Sequence, residues 1–129
     1  MASDPFDLQR FVDAQNPVYD QVRAELRNGQ KTGHWIWFVF PQLRGLGHSS
    51  MSVKYGISSQ QEAQAYLKHP VLGPRLEECT RLVNRVEGRS IDEIFGGIDT
   101  LKFKSSMTLF AGADPENRIF QEALRKYFA

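Results

Sequence analysis

The chain has 129 residues, with 16 Lys and Arg against 15 Asp and Glu and a net charge of +1. That length suits one domain with a core that needs no staples, and near-neutral charge gives no field to gather nucleic acid or an anionic membrane. One cysteine, Cys79, excludes an intrachain disulfide and fits a reducing, cytoplasmic setting.

Taken in order, Met1 to Asp7 is acidic and has no apolar signal core, so no secretory address is expected. Asp4-Pro5 reads as an N-cap followed by a first-turn proline, with Leu8, Phe11 and Val12 forming an apolar face. Asn16-Pro17 repeats the device before Val18, Val22 and Leu26, and Gly29 stops that helix. Trp35 to Phe40 is an unbroken apolar run holding both tryptophans, far too short to span a bilayer. Its aromatic and β-branched residues also suit a strand, with Met51, Val53, Tyr55 and Ile57 as an alternating partner. The helical reading, ending near Pro41, is preferred, and a hairpin over 34–57 is the runner-up.

Further on, Ser59 to Glu62 has the spacing of a capping box, for a helix that ends by His69-Pro70. Pro74 suits the first position of the next helix, where Leu76, Cys79, Val83 and Val86 recur at threes and fours until Gly88. Ser90 to Glu93 is a second box, for a short helix stopped by Gly96-Gly97. Asp99 can cap a helix over 100–111, and Asp114-Pro115 opens the last one. The expected fold is all-α, a single-domain bundle of about seven short helices over 1–129.

Three groups carry candidate chemistry. Lys31, His34, Trp35 and Trp37 place a cation, an imidazole and two indoles together, a set that can hold a phosphate and stack a ring. Packing alone also accounts for them. Arg44-Gly-Leu-Gly-His-Ser-Ser50 could form an anion nest, but a plain loop ending in an N-cap serine fits better. Asp99, Lys102, Ser105 and Ser106 share a helical stripe. They could make a Ser–Lys pair or a phosphate site, or could serve structure alone, with Asp99 paired to Lys102. His34, His48 and His69 are too scattered to pair as ligands, so no metal or other cofactor is indicated.

Lys31-Thr-Gly-His-Trp-Ile-Trp-Phe-Val-Phe-Pro-Gln42, Tyr55-Gly-Ile57, Ala65-Tyr-Leu67, Leu72-Gly-Pro-Arg-Leu76 and Ser105-Ser-Met-Thr-Leu-Phe110 resemble a bacterial family. It is the domain-of-unknown-function family 1810, often labelled "calpastatin". The resemblance covers nearly the whole chain and implies a mainly helical fold without an established activity. The label is set aside on physical grounds: a calpain inhibitor of that kind is a disordered, repeat-built chain, whereas the caps and stripes here specify a packed domain.

The functional expectation is one pocket beside the aromatic run. His34, Lys102 and Ser105 are its candidate catalytic groups, and Lys31, Trp35, Trp37, Gln42, Tyr55 and Ser106 its ligand contacts. The ligand would be a phosphorylated, nucleotide-like molecule of the ADP-ribose or NAD-derived type, with hydrolysis through His34 as an extension by analogy. The residues do not decide between enzyme and binder. The alternative is a protein-interaction module using an exposed aromatic patch.

Overall fold

Asp4 does open the first helix, but from a distance. In the computed structural model, which describes residues 3–129, its carboxylate accepts the backbone N–H groups of Leu8 and Gln9 at 2.7 and 3.0 Å. The helix itself, α1, runs Gln9–Gln15, four residues after Pro5. Pro17 and Pro115 likewise sit in turns ahead of α2 (Tyr19–Arg27) and α9 (Ile119–Phe128). Pro74 lies inside α6 (Leu72–Arg85) as its third residue, where a missing N–H is still harmless. That helix starts earlier than expected because His69 Nδ1 accepts the N–H groups of Val71 and Leu72 at 3.1 and 3.2 Å.

The described residues form nine helices and no strand. Trp35 to Phe40 is helical, as the single turn α3 (Ile36–Val39). The helix the sequence reading left out is α4 (Ser50–Lys54), capped by Ser49, whose Oγ accepts from Ser52 N. Its alternating apolar residues had suggested a strand; what survives of the hairpin is one bridge, Leu43 to Ile57, parallel in sense. The box at Ser59 is half formed on α5 (Gln60–Lys68): Glu62 N reaches Ser59 Oγ, while the Glu62 carboxylate turns elsewhere. The box at Ser90 is complete on α7 (Ile91–Phe95). Asp99 is the third residue of α8 (Gly97–Ala113) and does not cap it; Gly96, at φ +81°, makes that junction.

The core gathers on α8, which lies against α3, α5, α7 and α9. Two aromatic chains run through it. One joins Trp35, Phe40, Phe95, Phe103 and Phe128, with Phe95 stacked on Phe103 at 4.7 Å. The other joins Phe38, Tyr55, Phe11, Tyr66, Phe110 and Phe120. Five residues of the Trp35–Phe40 run are buried, and they feed both chains. Fully burying such side chains stabilises by roughly 1.5–3 kcal/mol each, so this run is the packing centre.

Gln15 and Thr80, buried in the core, are hydrogen-bonded, the Thr80 hydroxyl donating to Leu76 O at 2.8 Å. Gln15 Nε2 donates to Phe38 O at 2.6 Å and to Tyr66 Oη at 3.1 Å. Cys79 is fully buried on α6, and burial pushes its thiol up to about 12. No described helix is long and apolar enough to cross a membrane.

The chain turns from α5 into α6 with little clearance. A Cβ at Gly73 would stand 2.2 Å from the Leu67 carbonyl oxygen, a backbone atom that cannot step aside. Gly73→Ala is therefore expected to lower stability by roughly 1–3 kcal/mol in urea denaturation. Gly97→Ala, at a position with open space around it, is the control and should leave the midpoint unchanged or raise it.

Candidate functional site

After α3 the chain leaves through Phe40 and Pro41, loops over 42–49, and returns through α4 to Tyr55 and Gly56. Two backbone bonds close this excursion: Ile57 N donates to Gln42 O at 2.9 Å and Arg44 N to Ile57 O at 2.8 Å. Gly56 is required for the approach, since a Cβ there would meet Arg44 Cα at 2.8 Å. Arg10 fixes the returning strand of chain from behind. Its guanidinium donates to Lys54 O at 2.9 Å, Gly56 O at 3.1 Å and Glu62 Oε2 at 2.8 Å. Glu62 also accepts Ser58 N and Ser58 Oγ at 2.8 and 2.7 Å, and both partners of the ion pair are almost fully buried. Removing one partner would leave a buried charge unmatched.

The excursion faces α8 across a narrow cleft. Trp37, Phe40, Gln42, Ser52, Tyr55 and Lys102 line it, with Gly56 at its back. Its volume is about 10 Å³, the room of one water. A wider groove of about 240 Å³ is lined by Leu43, Leu46, Lys104, Ser105, Thr108 and Leu109. Its lining follows the cleft's along the chain, Gln42 preceding Leu43 and Lys102 standing one turn before Ser105. Lys102 is half-buried, and among the described residues it makes no ion pair or side-chain hydrogen bond.

Four of the nine candidate residues thus converge: Trp37, Gln42, Tyr55 and Lys102. Ser105 lines the groove and not the cleft, and it makes no hydrogen bond with Lys102, so the expected Ser–Lys pair is not formed. Ser106 is fully buried, and its hydroxyl has no partner. His34 is exposed and lines neither space. Phe40 and Ser52 were not foreseen in the wall; nothing in a lone serine three residues after an N-cap marks it as cleft-facing.

Lys31 and Trp35 serve the architecture. Lys31 Nζ pairs with Asp99 Oδ2 at 2.6 Å, donates to Gly33 O, and stands 5.0 Å over the Trp35 ring. This corrects the expected Asp99–Lys102 pairing and is what leaves Lys102 unpaired. Trp35 is 1% exposed, with its Nε1 donating to Glu25 Oε1 at 3.0 Å. The same oxygen accepts Thr32 N and Gly33 N at 2.8 and 2.9 Å, and Oε2 accepts Gln21 Nε2 at 2.6 Å. Burial alone would raise the pKa of Glu25; the four donors, led by Gly33 N and Thr32 N, outweigh it and hold the carboxyl at about 2. A signal for this residue exists in the sequence: Glu25 sits between Val22 and Leu26 on the apolar stripe of α2.

The family model described as "Protein of unknown function (DUF1810)" matches residues 5–129. The crystal structure of a conserved hypothetical protein from Mycobacterium tuberculosis is 66% identical, with a TM-score of 0.96 over 97% of this chain and 89% of that one. A search of curated proteins returns no match.

The depressed pKa of Glu25 makes a prediction with a definite sign. A carboxyl at about 2 in the folded state, against 4.5 ordinarily, stabilises the fold above pH 4.5 and loses that contribution as pH falls to 2. The full effect is roughly 3 kcal/mol. Glu25→Gln should cost about that much in urea denaturation at pH 7, and the gap from the unsubstituted protein should close as the pH is lowered through that window.

Proposed function

We propose that this chain, which belongs to the DUF1810 family, binds a phosphorylated, ring-bearing small molecule across the Trp37–Lys102 cleft and the wider groove. The observation that carries this reading is Lys102. An ammonium half-buried in a cleft with Trp37 and Phe40, with no carboxylate oxygen within 4 Å among the described residues, is a counter-charge open to an anion. The cleft has room for one small polar group, and Gln42, Ser52 and Tyr55 supply an amide and hydroxyls around it. The wider groove would take the flat remainder of the ligand on Leu43, Leu46 and Leu109, with Ser105 on its floor and Lys104 at its edge. Its volume, about 240 Å³, falls just below the usual range of small-molecule sites. A nucleotide-like compound of the ADP-ribose or NAD-derived type has this division into anion and ring.

The proposal is confined to binding. Hydrolysis through His34 loses its support, because His34 lines neither space; the groups there that can carry a proton are Tyr55 and Lys102 in the cleft and Lys104 in the groove. A protein-interaction role, the competing reading, would have to use aliphatic side chains such as Leu46, Ile98 and Leu101, since Trp35 is buried and Trp37 half-buried.

A thermal-shift panel of nucleotides and NAD-derived metabolites tests the reading. At least one phosphorylated ring compound should raise the melting temperature and change Trp37 fluorescence. Lys102→Ala should weaken its binding by about tenfold or more, the loss of one charge-assisted contact. A panel without a hit, or a hit that Lys102→Ala leaves intact, would remove the basis for it.

A further inference from the structure

On α6 and α9 a second concavity collects positive charge. Arg81, Asn84 and Arg85 face Asn117, Arg118 and Glu122 across an open cleft of about 400 Å³. Arg81 and Arg85 stand one helical turn apart, a spacing at which like charges repel. Arg118 adds a third guanidinium at the first residue before α9, and that helix starts without a side-chain cap. Positive charge there reinforces the positive end of the helix. Compensation within the protein is thin: Glu122 is the lone carboxylate in the wall, and Arg81 reaches Glu77 only at 3.7 Å. Arg85 and Arg118 are exposed and have no carboxylate partner among the described residues. Asn84 is fixed by donating to Ile119 O at 3.2 Å, and its Oδ1 is buried with nothing donating to it.

We infer that this cleft is an anion site, separate from the Trp37–Lys102 cleft, for a multiply charged phosphate compound. Three guanidinium groups converging on one hollow are a costly arrangement alone and a favourable one around an oligophosphate, because each can fork onto two oxygens. The volume is that of a small-molecule pocket.

Titration calorimetry at low ionic strength with inorganic tripolyphosphate tests this on the intact chain. Saturable single-site binding is expected, weakened by about tenfold or more in Arg85→Ala and in Arg118→Ala and unchanged in Lys102→Ala. Both arginine side chains are exposed and bond to nothing, so the variants should melt with the unsubstituted protein; if Arg118→Ala does not, Arg85→Ala decides alone. No saturable binding, equal affinity in the folded arginine variants, or a loss confined to Lys102→Ala would each overturn the inference. The last result would support the other cleft, so the two proposals stand or fall separately.

Discussion

The carboxylate of Glu25 decides where the most conspicuous stretch of the chain goes. It gathers two backbone amides, an indole and a side-chain amide around two oxygens. Residues 32–35 are thereby fastened to the end of α2, and Trp35 is turned inward. With the indole inside, Phe40 follows it onto Phe95 and Phe103, and Lys31 is brought to Asp99 on α8. A charge placed on an apolar helix face is costly in isolation; here it is the nucleus of an ordered junction because every oxygen is matched. The buried Arg10–Glu62 pair does the same for residues 54–58, so two carboxylates in the first half of the chain set both edges of the cleft region.

Local signals were legible where their partners are local. The box from Ser90 to Glu93 closes as its spacing says, and Gly29 and Gly88 take positive φ where helices stop. Ser59 keeps its half of a box, but Glu62 finds a stronger partner in Arg10, 52 residues away. Pro5, Pro17 and Pro115 shape the turn before a helix and leave the first turn to other residues. His69 ends α5 as its place before Pro70 implies, and its ring also caps the helix that follows.

The same distinction governs the candidate site. Trp37, Gln42, Tyr55 and Lys102 stand out for their side-chain chemistry, and they line one cleft because α8, which carries Lys102, faces the segment from α3 to Tyr55 that carries the other three. Lys31 stands out on the same grounds and is fully engaged, since its partner Asp99 lies 68 residues further along and no local pattern announces it. Exchange of that one partner, from Lys102 to Lys31, is what separates a structural cation from an available one. The arginine cleft on α6 and α9 was invisible to spacing, for it needs two helices to be brought side by side.

Cys79 has a practical bearing of its own. Packed wholly inside α6, with the proton held on its sulfur far above physiological pH, it offers alkylating reagents and oxidants neither access nor a thiolate. A cysteine engineered onto the surface of the loop over 43–49 would therefore be the one reactive sulfur in the molecule. Spectroscopic reporters can be attached there without first deleting the native thiol or disturbing the helix it supports.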